Sequence, residues 1–247
     1  MSSIERLLIV EDQEAYRDAA RSAFKNKRVE YAIDYDEAMA KIASSDLVIT
    51  DVFFPQSQSG NSEALQSEVL DAIKYGTVKD YIQQMASRAK DVGVVCDARL
   101  ERCFEIMGYH HLSCDDERVL GSLNDSVMRY MQTFGQDSIG KLEGVLRDML
   151  IENSADRAVS ELFQPLKDYM AQDKANQPFG YLVAQEAERL GKRFVLATSL
   201  RHAEKTLHPI LKSAKNRGWD LLEGGHGSKD DPGFWKQAYD LVSGKGR

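Results

Sequence analysis

Continuous apolar runs alternating with helix-length amphipathic stretches stand at both ends of this chain and almost vanish between them, and that pattern most limits the folds open to it. The opening part reads LLIV at 7–10, a helix over about 14–27, VEYAI at 29–33, a short helix over about 36–43, and LVIT at 47–50. The closing part reads a helix over about 181–190 stopped at Gly191, then RFVLAT at 193–198. A helix over about 202–217 follows, stopped at Gly218, then WDLLE at 219–223 and a last helix opened by Asp231 and Pro232 and running to about 242. Strands without polar alternation are buried on both faces, so a parallel sheet with helices on both sides is expected. Gly just past a helix and an Asp-Pro pair at its start are the end signals behind these bounds.

Strands and helices in strict alternation, five of each, most simply make a doubly wound α/β sheet, flavodoxin-like, with strand order 2-1-3-4-5. Residues 1–56 and 177–247 then form one discontinuous α/β domain. Residues 57–176 are expected to be an inserted all-α domain, entered through the polar stretch QSQSGNSE after Pro55. Within it Val119, Leu123, Val127, Tyr130, Met131 and Phe134 share one helical face, as do Val159, Leu162, Phe163, Leu166, Tyr169 and Met170. Ser113 and Ser154 stand where helix starts are expected. VGVVC at 92–96 reads as a short strand or as a buried helix end.

Composition narrows the function classes. At 247 residues and 43% hydrophobic the chain can bury a substantial core. A formal net charge of -7 argues against a broad phosphate-backbone-binding surface, so nucleic acid is not expected as a partner. The opening MSSIERLLIVED sets acidic residues on both sides of a short apolar run, resembling neither a secretory signal nor a membrane span. Cys96, Cys103 and Cys114 form an odd set that implies no oxidising compartment, and reduced thiols in a cytoplasm are expected. With His110 and His111 they match no tight Cys-x-x-Cys spacing, so buried thiols and surface histidines are expected rather than a zinc site.

In a doubly wound sheet ligands bind beyond the carboxyl ends of the strands, at the point where the winding reverses, here between the first and third strands. The first strand ends in Glu11-Asp12, the third in Asp51, the fourth in Thr198-Ser199, and the fifth is followed by a loop carrying Lys229. Three carboxylates gathered within a few ångströms repel one another unless a cation intervenes, and Mg²⁺ suits an open, all-oxygen site. With that charge neutralised, the Asp51 carboxylate can act as a nucleophile toward a phosphoryl donor. Lys229 and the Thr198 hydroxyl would then meet the charge on the phosphoryl oxygens. Taken singly, Glu11-Asp12 could merely cap a helix, Thr198 could be structural, and Lys229 could be a solvated loop lysine; the set is what carries weight.

These residues resemble the receiver domain of two-component response regulators, on LLIVEDQ with its acidic pair, LVITDVFFP with a strand-end aspartate and a proline four residues on, FVLATS, and Lys229 after the fifth strand. The resemblance implies Glu11 and Asp12 as Mg²⁺ ligands, Asp51 as ligand and phosphoacceptor, the backbone carbonyl of Phe53 completing the metal site, Thr198 as the hydroxyl that follows the phosphoryl group, and Lys229 as its charge partner. It also implies a histidine kinase or phosphotransfer protein as donor. Output would pass to a downstream protein, a homodimer mate or the helical insertion, with no tethered output domain and no catalysis beyond slow autodephosphorylation. The chain departs from that family in three ways: Lys229 precedes Asp230 rather than a proline, no aromatic residue matches the family's switch position near the fifth strand, and the insertion directly follows the phosphoacceptor loop. Two other readings stay open. A haloacid-dehalogenase-like phosphatase also places a helical cap after a strand-end aspartate, though its second aspartate would fall at Phe53, and a pseudo-receiver would keep the fold only for docking.

Overall fold

The computed structural model describes residues 5–57, 62–91, 158–199, 204–225 and 227–244. In chain order these form β1 (Arg6–Val10), α1 (Glu14–Ala23), β2 (Arg28–Ala32), α2 (Tyr35–Ile42) and β3 (Leu47–Thr50). Two helices follow, α3 (Glu63–Asp91) and α4 (Ala158–Gln172). The chain then continues through α5 (Gly180–Arg189), β4 (Arg193–Ser199), α6 (Glu204–Asn216), β5 (Leu221–Gly224), a 3₁₀ turn (Ser228–Asp230) and α7 (Pro232–Ser243). The five strands make one all-parallel sheet of order β2-β1-β3-β4-β5, a doubly wound α/β arrangement. Segments from the two ends of the chain are thus one sheet, with β3 pairing β4 from Leu47↔Arg193 to Thr50↔Leu196.

The strands belong to a sheet because their residues sort by face with a period of two. Leu8, Val10, Val48 and Leu196 pack under α2, α3, α4, α5 and α6, in a core that includes Ala38, Val69, Phe163, Leu182 and Ile210. Leu7, Ile9, Leu47, Ile49, Val195 and Ala197 pack on the other side against Tyr16 and Ala20 of α1 and Phe234, Trp235 and Ala238 of α7. The change of face between the α1 and α2 crossovers reverses the winding between β1 and β3, opening the crevice at the carboxyl edge there.

Most element bounds fall within a few residues of expectation, and the differences have local causes. α1 stops at Ala23 rather than near 27, because the Phe24 amide closes onto Ala20 and Arg21 while Lys27 N–H turns back to Phe24. β5 starts at Leu221 rather than 219, because Gly218 takes φ 73° and the Trp219 amide returns to Ala214 to close α6. Asp231 caps α7 as its sequence suggests, its side chain accepting from the Gly233 amide. Trp219 and Trp235 are both buried. Among the described residues no helix is long and apolar enough to cross a membrane.

The stripe on residues 159–170 forms part of α4, and its Phe163, Leu166 and Met170 join the same core as β1, β3 and β4. Gly76 of α3 lies where an added Cβ would overlap Ser213 Oγ of α6 and Tyr181 Oη of α5. The Asn216 side-chain amide donates to the Thr77 carbonyl at 3.0 Å. The outer ends of the segment assigned to an inserted domain are therefore built into the α/β core. The stripe on 119–134, the VGVVC run, Ser113, Ser154, the three cysteines, His110 and His111 all lie outside the described residues.

Because Phe163 is fully buried among sheet-facing residues, Phe163→Ala should lower unfolding free energy by about 3–5 kcal/mol. The fluorescence of Trp219 and Trp235 should report that loss in one cooperative denaturant transition. A tryptophan transition left at its wild-type midpoint would show that α4 is energetically separate from the sheet.

Candidate functional site

Two backbone hydrogen bonds extend the ladder one residue past the strands and set the height of the acidic groups. Glu11 N–H donates to the Ala32 carbonyl and Asp51 N–H to the Val10 carbonyl, each at 2.9 Å. One carboxylate oxygen from each of Glu11, Asp12 and Asp51 then lies within 4.8 Å of the others. Glu11 and Asp51 are buried and Asp12 is partly so.

A residue that sequence reasoning missed holds this turn in place. Arg17, on the sheet-facing side of α1, donates through Nη1 to the carbonyls of Glu11 at 2.7 Å and Asp12 at 2.5 Å, while Nη2 pairs with Glu14. Its signal was the placement of a cation on a helix face otherwise made of Tyr16, Ala19 and Ala20.

Lys229 reaches the acidic pair from the far end of the chain. Gly227 at φ 78° turns the loop into the 3₁₀ turn, and Trp235 Nε1 donates to the Lys229 carbonyl at 2.9 Å. The ammonium is fully buried, 2.8 Å from Glu11 Oε2 and 2.6 Å from Asp51 Oδ1, with the rings of Tyr16 and Trp235 about it. A solvated loop lysine is thereby ruled out.

Burial acts most strongly on Lys229 and pulls its pKa down, but the charges of Asp51 and Glu11 outweigh it and leave the ammonium raised above the ordinary lysine value. Burial, and then the charge of Asp51, push the Glu11 carboxyl up to about 8 against the opposing pull of Lys229. Asp12 is also raised, by burial first and Asp51 second. Three carboxylates share one ammonium, so the cluster is short of positive charge. Asp12 Oδ1 is buried with no hydrogen-bond partner. An all-carboxylate donor set with an orphaned oxygen fits a hard divalent cation such as Mg²⁺. Asp12 and Asp51 are the better placed to hold it, since Glu11 Oε2 already faces Lys229 and its Oε1 accepts from the Gln13 amide.

The loop leaving β3 is gripped along its length. The Val52 amide donates to Asp51 Oδ1 at 2.7 Å, and the Gly180 amide donates to the Val52 carbonyl at 3.1 Å. Phe54 and Gln177 exchange backbone hydrogen bonds at 3.1 and 3.2 Å. Gly180 was not singled out from the sequence, yet an added Cβ there would overlap the Asp51 carbonyl.

The remaining candidates are placed as follows. Phe53 is buried, with its ring edge-on to Tyr169 of α4 at a centroid distance of 5.1 Å. Thr198 is buried on β4, paired in register with Glu223 and two positions beyond Leu196, the partner of Thr50. It sits at the same sheet edge as Asp51, with its Oγ1 donating only weakly, at 3.4 Å, to the Ser199 carbonyl. The fold therefore brings Glu11, Asp12, Asp51 and Lys229 into one cluster and leaves Thr198 one strand away. No family model, no curated protein and no solved structure matches this chain.

Two substitutions check this construction. Gly180→Ala should cost about 1–3 kcal/mol, because the Asp51 backbone it meets cannot move without disturbing β3; an unchanged melting temperature would contradict the contact. Lys229→Met leaves two buried carboxylates facing each other and should cost about 3–5 kcal/mol, with Asp51→Asn on top of it recovering part of the loss. Equal and additive losses in that double-mutant cycle would mean the two side chains do not interact.

Proposed function

We propose that this chain is a receiver-like phosphoacceptor switch in which Asp51 accepts a phosphoryl group beside a bound Mg²⁺. The observation that carries the reading is the buried contact of Lys229 with both Asp51 and Glu11, next to the orphaned oxygen of Asp12. A cation from the end of the chain and acids from two separate strands meet at the crevice where a doubly wound sheet binds ligands.

Asp51 Oδ1 is occupied by the Val52 amide and Lys229, which leaves Oδ2 as the attacking oxygen. A new bond forms between Oδ2 and phosphorus as the bond from phosphorus to the donor breaks, its electron pair leaving with the donor. Lys229, already within hydrogen-bond reach of Asp51, offsets the charge spread over the phosphoryl oxygens. Thr198 supplies a hydroxyl from the neighbouring strand. Bound Mg²⁺ would neutralise the acids and draw charge from the phosphoryl oxygens, held by Asp12, Asp51, Glu11 and the Phe53 carbonyl.

The donor on this reading is a histidine kinase or a phosphotransfer protein in the cytoplasm, and the output partner is a protein, a second copy of the chain or the 57–176 segment. A phosphatase of the haloacid-dehalogenase type needs an acid two residues after the nucleophile. That position is Phe53, packed against Tyr169, so nothing there protonates a leaving group.

Incubation with acetyl phosphate and Mg²⁺ should raise the intact mass by one phosphoryl group, and Asp51→Asn should abolish the gain. Release of phosphate from a generic ester substrate without a stable adduct, lost in the same variant, would favour the phosphatase instead. No adduct with any donor would leave the chain a docking module.

A further inference from the structure

We infer that Tyr169 is the positioning residue through which α4 is coupled to Asp51; the inference rests on reading Asp51 as the phosphoacceptor. Tyr169 comes from α4, well away in sequence from the strands that build the site, yet its ring packs edge-on against Phe53, two residues after Asp51.

The attachment of α4 to the loop is stiff on both sides of Tyr169. The Tyr169 hydroxyl bonds Asp173 Oδ2 at 3.1 Å, and Asp173 Oδ1 accepts from the amides of Ala175 and Asn176. The buried Gln177 side chain donates to the carbonyls of Met170 at 3.0 Å and Asp173 at 2.6 Å, while its backbone pairs with Phe54. The end of α4 and the turn after it thus form one hydrogen-bonded unit, joined to the Asp51 loop at Phe53 by a ring and at Phe54 by backbone.

That unit leads onward into the rest of the helical layer. α4 buries Phe163 and Leu166 in the core that Leu207 and Ile210 of α6 share, and α3 lies against α6 at Gly76 and Thr77. A phosphoryl group on Asp51 adds charge and bulk next to Val52 and Phe53, and a shift of Phe53 would bear on the Tyr169 ring packed against it.

Hydrogen exchange on the full chain, with and without beryllofluoride and Mg²⁺, tests this. In the untreated protein Tyr169→Ala should raise exchange of the Val52 and Phe54 amides by about tenfold, and Tyr169→Phe, which keeps the ring, should not. In the wild type the beryllofluoride adduct should change protection across residues 163–177, and Tyr169→Ala should form the adduct while losing that change. Unaltered exchange at Val52 and Phe54 in Tyr169→Ala overturns the inference, as does an adduct that leaves 163–177 unaltered in the wild type. Failure of the wild type to take beryllofluoride overturns instead the phosphoacceptor reading on which the coupling depends.

Discussion

The fully buried ammonium of Lys229, held between Asp51 and Glu11, is the interaction on which the rest of the structure turns. A lysine loses its hydration when it enters the interior, and only close, well-formed pairing offsets that cost. Here the pairing ties the loop after β5 to the ends of β1 and β3, so the two ends of the chain close around one another. Trp235 then anchors the Lys229 carbonyl and roofs the far face of the sheet. The same ion pair leaves three carboxylates sharing one ammonium, an all-oxygen group of the kind that suits a hard divalent cation.

How much of this was legible depends on which physical signal each part leaves. β1 and β3 were readable because LLIV and LVIT are buried on both faces and allow no polar alternation. The order of the sheet followed from alternation and handedness, and Asp51 was readable only as one of a set of residues at the carboxyl ends of strands, since an aspartate there means little by itself. The edges were less legible: α6 and β5 meet at Gly218 and Trp219, where a helix-closing turn uses residues that look like strand. Lys229 carried almost no local signal, since its burial depends on ion-pair partners far away in the chain, Glu11 at a separation of 218 positions among them.

Arg17 and Gly180 were missed, and Tyr169 was read only as part of a helical stripe, for a common reason. Each acts on another segment, by clamping carbonyls, by leaving room for one, or by packing its ring against Phe53 in the loop after β3. Residue type gives no hint of such a partner, because an arginine, a glycine and a tyrosine in helices all have ordinary local explanations. The same limit applies to the 57–176 segment, whose helical periodicity was plain but whose attachment to the α/β core depended on Gly76, Phe163 and Leu166 meeting residues of other elements.

The central claim is that acids from separate strands enclose one divalent ion beside Asp51. A crystal structure grown in Mn²⁺, with anomalous scattering used to locate the metal, addresses it most directly. The account predicts a single ion directly coordinated by carboxylate oxygens of both Asp12 and Asp51, at about 2.2 Å, with Lys229 still in contact with Asp51. No anomalous peak at saturating metal, or an ion held by one carboxylate on the rim, would contradict it.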